Sequence, residues 1–239
     1  MKEWRLRPAR DHGLPPGARL QSHGRERGLG SLALSAGWRS LVWCYLRAVH
    51  RLEVTGREHL PAPPFVMVAN HASHLDALTL AAALPPSAAR RAFALAAGDT
   101  FFTSAPASAF AAYAVNALPV WRGKTTAADL AGLRARLQED GLVFILFPEG
   151  TRSRTGAMAP FKPGVGALVA GSAVPVVPCW LEGAGRAWPP GQRLPRPGKL
   201  HLRIGPPLDF SAAAPDRAGG LAVAERCAEA VRALSALHT

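Results

Sequence analysis

Apolar and polar residues alternate along most of the chain in a pattern that predicts strands separated by helices. Four short apolar runs follow residue 50 and read "PFVMVAN", "GLVFILFPEG", "AVPVVPCWLEG" and "KLHLRIG". Each run is rich in β-branched or aromatic residues and is bounded by Gly, Pro or polar residues, which is typical of strands. Because most of the runs are apolar at consecutive positions, they indicate strands that are covered on both faces, as in a parallel sheet.

The segments between these runs have the spacing of helices. One helix is predicted from Asp76 to Leu84, and the segment "TTAADLAGLRARLQEDG" places Leu130, Leu133 and Leu137 on one helical face. The segments "GVGALVAGS" and "AERCAEAVRALSAL" predict further helices. Strands that alternate with helices of this length indicate βαβ units. We therefore predict an α/β fold, with a single domain at residues 52–239 and a mostly parallel central sheet flanked by helices.

The N-terminal part of the chain has a different composition. Residues 1–28 contain scattered Arg, Gly and Pro without an apolar core, so they predict a basic disordered tail rather than a secretory signal. Residues 29–51 are apolar and aromatic, but Arg39 interrupts them, which argues against a membrane span. Two interpretations stay open: a membrane-interfacial helix whose arginines meet anionic headgroups, or a helix packed on the protein's own core. Residues 100–121 carry no charge, but their Ser, Thr, Asn and Pro residues make the segment too polar to predict a membrane span.

Charge and cysteine content narrow the classes of partner. The 28 Lys and Arg residues exceed the 16 Asp and Glu residues, for a net charge of +12, so nucleic acid, anionic lipid headgroups and phosphorylated substrates are the candidate partners. Charge alone does not distinguish among these three. Cys44, Cys179 and Cys227 are few and far apart, so they predict neither a disulfide framework nor a thiolate metal cluster. This cysteine content fits a reducing compartment.

The strongest candidate for chemistry is the segment "NHASHLD", which directly follows the first predicted apolar strand. In a continuous α-helix, His71 and Asp76 would lie about 140° apart around the axis and could not meet. They can meet across a strand-to-helix turn. Such a turn places both side chains at the carboxyl end of a strand, where open α/β sheets bind ligands.

Three interpretations of this segment compete. Ser73 and Asp76 match a capping box with Asp in place of Glu, which requires no chemistry. The segment also loosely resembles the H-x-H-x-D-H zinc pattern of metallo-β-lactamases, although Ala72 and Ala77 occupy two ligand positions. In the third interpretation, His71 is a general base and Asp76 fixes its tautomer. Since no G-x-S-x-G elbow exists and no cysteine adjoins a histidine-rich motif, the nucleophile would then be a substrate hydroxyl.

A second polar segment, "FILFPEGTRSRTG", leaves the next predicted strand and turns through Gly150. Glycine allows the backbone to approach a ligand closely, and hydroxyls with arginines suit a phosphate or a developing oxyanion. The segment presents Thr151, Arg152, Ser153 and Arg154 after the turn. It lacks the G-x-x-x-x-G-K-[ST] spacing of a P-loop. A solvated basic turn without a ligand is the alternative.

Together, these motifs resemble those of the glycerolipid acyltransferases typified by 1-acyl-sn-glycerol-3-phosphate acyltransferase. "NHASHLD" resembles the N-H-x-x-x-x-D signature and "FPEGTRSR" the F-P-E-G-T-R-S signature, in the family's order and separation. "LPVWRGK" with Arg122, "PFKPG" with Lys162 and "VPVVPCW" are similar to the family's other blocks. Trp121 stands where the family often carries an acid before the arginine. The resemblance covers roughly residues 54–210, and the blocks are specific only in combination.

The resemblance implies a glycerol-3-phosphate acyltransferase-like fold and an O-acyltransferase activity. A fatty acyl group would move from acyl-CoA or acyl-carrier protein to the free hydroxyl of a lysophospholipid, with 1-acyl-sn-glycerol-3-phosphate giving phosphatidic acid. It implies His71 as general base, Asp76 as the carboxylate that orients it, and no metal or organic cofactor. The implied substrate-binding residues belong to the later blocks: Arg122, Glu149, Gly150, Thr151, Arg152 and Lys162.

The same resemblance sets expectations for partners and location. The implied partners are the acyl donor, the lysophospholipid acceptor and a membrane surface, with no nucleic acid. The implied location is the cytoplasmic face of the inner or cell membrane, held peripherally or monotopically, with an N-terminal membrane-associating helix. Another lysophospholipid or a different hydroxylated lipid remains an alternative acceptor. A metallohydrolase and a non-catalytic basic binder of membrane or nucleic acid are more distant alternatives.

Overall fold

A computed structural model describes residues 11–15, 18–19, 22, 25, 29–97, 105–114, 116–120 and 125–237. Within these residues the strands form one seven-stranded sheet. The strands are β1 (Glu53–Thr55), β2 (Phe65–Ala69), β3 (Ala92–Ala97), β4 (Ala117–Val120), β5 (Val143–Leu146), β6 (Val176–Glu182) and β7 (His201–Ile204). The helices are α1 (Leu29–His50), α2 (Leu75–Ala83), α3 (Pro86–Ala89), α4 (Ala105–Ala114), α5 (Ala127–Glu139), α6 (Gly164–Val169), α7 (Ala184–Ala187) and α8 (Arg217–Ser235).

The strands lie in the order β1-β7-β6-β2-β5-β3-β4. The five strands from β6 to β4 in this order are parallel to one another. β7 is antiparallel to β6, and β1 pairs with β7 in parallel. This confirms a mostly parallel sheet in an α/β domain, and the four apolar runs form β2, β5, β6 and β7. The antiparallel direction of β7 follows from its connection to β6, because residues 183–200 contain only the short helix α7 and no long crossover helix.

Three strands escaped prediction from the apolar pattern. β3 reads "AFALAA" and β4 reads "ALPV", and alanine has a low intrinsic preference for strands. β3 exists because it pairs with β5 on one side and β4 on the other. Pro119 is tolerated because β4 is an edge strand. β1 is three residues long, too short to show a period.

Helices cover both faces of the sheet. One face carries Met67 and Ile145 and packs against α1 and α2, and the opposite face carries Val66 and Phe144 and packs against α5, α6 and α8. The predicted helices are present, and the C-terminal one starts earlier, at Arg217. Successive residues of β2 and β5 thus enter opposite cores, which is why these strands read as unbroken apolar runs.

Helix α1 packs on the protein's own core through one face. Val42 and Leu46 are buried in the cluster that covers the sheet, while Trp38 is 38% exposed and Leu41 is 61% exposed. The core-packed interpretation therefore describes one face of α1, and Trp38 and Leu41 are exposed beside that face. Among the described residues, no helix is both long enough and apolar enough to cross a membrane.

Most of residues 1–28, predicted as a basic disordered tail, lie outside the described residues. Arg25 is described and buried. Its guanidinium donates to the carbonyl of Ala117 at 2.7 Å and to Oδ1 of Asn116 at 3.1 Å. Arg136 in turn donates to the carbonyl of Arg25 at 3.3 Å. This residue of the N-terminal segment is therefore anchored between β4 and α5.

Candidate active site

The candidate site lies at the carboxyl ends of three adjacent strands. β2 lies between β5 and β6, and all three are parallel, so the loops that follow them meet at one edge of the sheet. The loop after β2 carries "NHASH", the loop after β5 carries "FPEGTRSR", and the loop after β6 carries Trp188. Two backbone contacts join the first two loops: Ser153 N–H donates to the His71 carbonyl at 2.8 Å, and His71 N–H donates to Glu149 Oε1 at 2.7 Å.

His71 and Asp76 meet across the turn from β2 to α2. Nδ1 of His71 lies 2.8 Å from Oδ2 of Asp76. The same oxygen accepts the backbone N–H groups of Ala72 at 2.7 Å and Ser73 at 2.8 Å. Asp76 is 1% exposed. These contacts fix the position of the carboxylate, and they give the imidazole a hydrogen-bond acceptor at Nδ1 and leave Nε2 as its basic nitrogen.

Asp76 makes contacts that the capping and the orienting interpretations of this segment both invoke. Asp76 reaches back to the backbone of Ser73, as in a capping box. Ser73 Oγ accepts from Leu75 N–H at 3.1 Å instead of from Asp76 N–H, and it donates to the Trp188 carbonyl at 2.8 Å. One carboxylate therefore starts the helix and holds the imidazole.

The ring of His71 has a second restraint. It stacks on Phe147 with 4.2 Å between the ring centroids and an angle of 18° between the planes. Phe147 is the first residue after β5. The carboxylate therefore fixes one edge of the imidazole and the phenyl ring fixes its plane, and 16% of the His71 side chain remains exposed.

Glu149 contacts two backbone N–H groups in the structure. It was expected to bind substrate, but Oε1 accepts His71 N–H at 2.7 Å and Oε2 accepts Ala159 N–H at 2.8 Å. The residue is 3% exposed, and burial raises the pKa of its carboxyl above the ordinary value while the two backbone hydrogen bonds lower it. Glu149 therefore joins the two loops, because both of its carboxylate oxygens accept hydrogen bonds from backbone N–H groups.

Gly150 and Lys162 are in direct contact. Gly150 has φ of 74°, and a Cβ there would lie 2.6 Å from Nζ of Lys162. The return of the chain is fixed by Lys162 N–H, which donates to the Pro148 carbonyl at 2.9 Å. The left-handed backbone at Gly150 favours glycine, and a Cβ there would require the end of the Lys162 side chain to shift. Thr151 is exposed next to this contact.

Arg152 contacts His74, a pairing that the sequence analysis did not anticipate. Nη1 of Arg152 donates to Nε2 of His74, and the imidazole also lies 5.1 Å from the ring of Trp188. The two residues lie 78 positions apart in the chain, and no local sequence pattern predicts their contact. Burial lowers the pKa of His74, and the charge of Arg152 lowers it further. Arg122, the remaining predicted binding residue, lies outside the described residues.

A cavity of about 570 Å³ opens beside these side chains. Its polar end contains His71, His74, Arg152 and Lys162. Its apolar walls come from β3, β4, α2, α4, α5 and α6, and include Leu78, Leu95, Ala111, Val120, Leu130, Leu133 and Leu168. Arg154 is exposed and does not line this cavity. The arrangement suits an amphiphilic ligand with an anionic end near His71 and an apolar end deeper in the domain.

Two alternative chemistries find little support in the part of the chain that the structure describes. No group of three His, Cys, Asp or Glu residues converges there in a way that could hold a metal ion. Cys179 and Cys227 are buried, and burial raises the pKa of both thiols, that of Cys227 to about 12. Neither thiol is therefore poised as a nucleophile at neutral pH.

Comparison with known proteins supports the same family. A family model described as Acyltransferase matches residues 51–182. The 1-acyl-sn-glycerol-3-phosphate acyltransferase alpha of Mus musculus is 30% identical over 179 residues, which cover 72% of this chain and 60% of that protein. The chloroplastic 1-acyl-sn-glycerol-3-phosphate acyltransferase BAT2 of Brassica napus is 32% identical over 152 residues, which cover 59% of this chain and 40% of that protein. The chain thus spans about 60% of the length of its mammalian relative.

A solved structure has the same fold. The crystal structure of the 1-acyl-sn-glycerophosphate acyltransferase from Thermotoga maritima superposes with a TM-score of 0.59 and 24% identity, covering 86% of this chain and 80% of that chain. Since the family model matches more than half of the chain, and the motifs that it shares meet at one edge of the sheet, the chain belongs to the acyltransferase family.

Proposed function

We propose that this protein transfers a fatty acyl group from an acyl-CoA or acyl-carrier-protein thioester to the free hydroxyl of 1-acyl-sn-glycerol-3-phosphate, which gives phosphatidic acid. The observation that carries the proposal is the 2.8 Å contact between His71 Nδ1 and Asp76 Oδ2 at a cavity with cationic and apolar ends. An imidazole held in this way can act as a general base near neutral pH.

In the proposed reaction, Nε2 of His71 takes the proton of the acceptor hydroxyl as its oxygen attacks the thioester carbonyl carbon. A C–O bond forms, the tetrahedral intermediate collapses with cleavage of the C–S bond, and the imidazolium returns the proton to the leaving thiolate. Asp76 remains ionised and stabilises the imidazolium. The acyl group passes directly to the acceptor, which agrees with the burial of Cys179 and Cys227.

The cationic side chains beside His71 support a phosphate-bearing acceptor. Arg152 and Lys162 line the same end of the cavity as His71. A guanidinium can bind two phosphate oxygens at once, and an ammonium adds a point charge. We assign the acceptor phosphate to these two residues, with Gly150 and Thr151 at the adjoining turn, and we retain Arg122 as a further phosphate contact from the family resemblance.

The apolar walls support a long hydrocarbon chain. Side chains from β3, α5 and α6 form the deep part of the cavity, among them Leu95, Leu130, Leu133 and Leu168. Burying a methylene group contributes about 0.8 kcal/mol. We therefore place a fatty acyl chain in this part of the cavity, with the carbonyl carbon beside His71.

A membrane surface is the proposed source of the acceptor. Trp38, Leu41 and Tyr113 are exposed on α1 and α4, and a second cavity of about 230 Å³ between these helices carries Arg39 and Arg90 at its wall. Aromatic side chains with arginines suit the headgroup region of an anionic bilayer. Both cavities contact Leu78, so this face adjoins the proposed acyl site. We therefore propose peripheral or monotopic association with the cytoplasmic face of the cell membrane.

The test of the proposed activity is thiol release from acyl-CoA in the presence of a panel of acceptors. The panel contains 1-acyl-sn-glycerol-3-phosphate, lysophosphatidylcholine, 1-acylglycerol and a sample without acceptor. We expect the largest acceptor-dependent rate with the phosphate monoester and loss of that rate in His71→Ala. Thioester consumption that no acceptor increases would overturn acyl transfer, and a preference for another lipid would replace the proposed acceptor.

The test of membrane association is co-sedimentation with vesicles of phosphatidylglycerol and phosphatidylcholine. We expect Leu41→Glu to weaken binding, because it places a negative charge on the exposed face of α1. Leu221→Glu is the matched control, since Leu221 is 49% exposed on α8, which covers the other face of the sheet. Equal binding of the two variants would remove α1 from the membrane contact.

A further inference from the structure

Arg152 has an uncommon partner for a partly buried guanidinium. Its Nη1 donates to the imidazole Nε2 of His74. Among the described residues, no carboxylate lies within ion-pair distance of Arg152. Arg136 and Arg203, which are also buried, pair with Asp140 and Glu182. The positive charge of Arg152 is therefore positioned by a side chain other than an anion.

The contact determines the protonation state of His74. A guanidinium has only N–H donors, so Nε2 must provide the lone pair and the ring must be neutral, with its proton on Nδ1. Burial and the neighbouring Arg152 lower the pKa of His74, which favours the same state. A neutral acceptor holds the guanidinium without cancelling its charge, whereas a carboxylate at the same position would cancel most of it.

His74 is itself held by the loop that follows β6. Its ring lies 5.1 Å from the ring of Trp188 at an angle of 52°. The carbonyl of Trp188 accepts a hydrogen bond from Ser73 Oγ at 2.8 Å. His74 therefore joins the loops after β2, β5 and β6, and His71, His74, Arg152 and Trp188 line one cavity.

We propose that His74 is a positioning residue that holds Arg152 at the cavity with its charge available for the phosphate of the acceptor. One of the five guanidinium N–H groups contacts His74, so the remaining groups can face phosphate oxygens. This inference rests on the proposed function and deepens it. It names His74, beside the family's motif arginine Arg152, as a determinant of specificity for anionic acceptors.

Three substitutions separate the properties of His74. His74→Phe keeps an aromatic ring against Trp188 and removes the acceptor for Arg152. His74→Gln keeps a neutral acceptor on a side chain of similar length. His74→Glu keeps an acceptor but adds a negative charge. KM and kcat are measured for 1-acyl-sn-glycerol-3-phosphate, and thermal unfolding is measured for each variant. His201→Phe is the matched control, because His201 also lies near an arginine, Arg203.

We expect the KM for the phosphate-bearing acceptor to rise roughly tenfold in His74→Phe and at least as much in His74→Glu, since a hydrogen bond to a charged group has about this effect. The value of kcat should change by less than about threefold, because the His71–Asp76 contact is intact. His74→Gln should restore most of the affinity. A purely structural role would instead lower the unfolding temperature and leave KM unchanged.

The outcomes separate this inference from the proposed function. If the wild-type protein transfers no acyl group to 1-acyl-sn-glycerol-3-phosphate, the proposed function fails before any variant is compared. If the wild-type protein is active but His74→Phe or His74→Glu has the wild-type KM, the proposed function stands and the role of His74 is overturned. The role is also overturned if His74→Gln is as impaired as His74→Phe.

Discussion

In two regions of the protein a histidine lies near an arginine, and the two pairs have similar chemistry but different surroundings. His74 lies beside Arg152 at the carboxyl end of the sheet, and His201 lies near Arg203 in β7 at the antiparallel edge. Burial lowers the pKa of both histidines, and the nearby arginine lowers each of them further. Arg203 Nη2, however, lies 3.0 Å from Oε2 of Glu182, while Arg152 contacts the ring of His74 at a cavity.

The difference shows how charge is used in the two regions. At the antiparallel edge, Arg203 pairs with Glu182, and Lys199 pairs with Glu53 at 3.0 Å, so cations and anions neutralise one another. At the cavity, no carboxylate among the described residues lies within ion-pair distance of Arg152, an arrangement that costs stability unless a ligand supplies the negative charge. The same residue types therefore form ion pairs in one region and line a cavity in the other.

The largest expected effect is that of Asp76→Asn, which changes the carboxylate that holds His71 at the cavity. The amide can still accept backbone N–H groups, but it no longer stabilises the imidazolium of His71 and it can reverse the tautomer. We expect kcat for acyl transfer to fall by about 10²- to 10⁴-fold, the usual contribution of general base catalysis. Acceptor-dependent thiol release measures this.

Asp209→Asn is the control for that substitution. Asp209 accepts from Ser211 N–H at 2.8 Å in an exposed turn far from the cavity lining. It should leave kcat unchanged. A comparable loss of kcat in both variants, or wild-type activity in Asp76→Asn, would contradict the assigned role of Asp76.

The next effect tests the two arginines directly. Arg152→Met should raise the KM for a phosphate-bearing acceptor roughly 10- to 100-fold, because a charge-assisted hydrogen bond to the ligand is lost. Arg203→Met should leave KM unchanged. It should also change the free energy of unfolding by less than about 1 kcal/mol, since Glu182 is half exposed and Arg203 buries two nitrogens without partners. Steady-state kinetics and urea unfolding measure these quantities, and equal KM values for the two variants would remove the distinction.

A smaller effect is expected from Phe147→Leu. Leucine keeps apolar volume beside His71 but removes the stacked ring at 4.2 Å. Aromatic pairs contribute about 0.5–1.5 kcal/mol beyond their buried area, so kcat should fall about 2- to 10-fold. KM for the acceptor should be unchanged, because Phe147 orients the base and does not contact the phosphate in the proposed complex. A change confined to KM would show that the ring contributes to binding instead.

The smallest effect concerns the pH dependence of stability. Because the pKa of His201 is lowered below its ordinary 6.5 in the folded protein, the unfolded chain binds more protons there, and stability is lost as pH falls below that value. The charged groups around His201 are Arg203, Lys199, Glu53 and Glu182. His201→Gln should therefore lose less thermal stability than the wild type between pH 7 and pH 5. A steeper loss in the variant would reverse the sign assigned to this histidine.

The sequence predicted the strands that lie in apolar, β-branched runs and missed β1, β3 and β4, whose residues form no such run. β2, β5 and β6 supply apolar side chains to both faces of the sheet, so their pattern is visible in the residues alone. β3 has four alanines among its six residues, β4 is the short edge strand "ALPV", and their conformation is imposed by pairing with β5 and with each other. The membrane role of α1 stays a prediction, because its packed face and its exposed face have similar residues.

The candidate site divides in the same way. His71 and Asp76 were predictable because their contact spans five residues after a recognisable strand. The contacts of Glu149 with His71, and of Arg152 with His74, each join positions 78 residues apart, and no local pattern encodes them. Glu149 was assigned to substrate from the family resemblance, and in the structure its two carboxylate oxygens accept backbone N–H groups.

The position of β2 between β5 and β6 has a consequence for biosynthesis. His71 and His74 leave the ribosome early, but Phe147, which stacks on His71, and Arg152 and Trp188, which contact His74, come from segments that are made about 75 to 115 residues later. Contacts between such distant segments form late in folding. A nascent chain therefore carries His71 and His74 in an incomplete pocket until the sixth strand is in register, and we expect the proposed acyl transfer only after the residues up to Trp188 have been made.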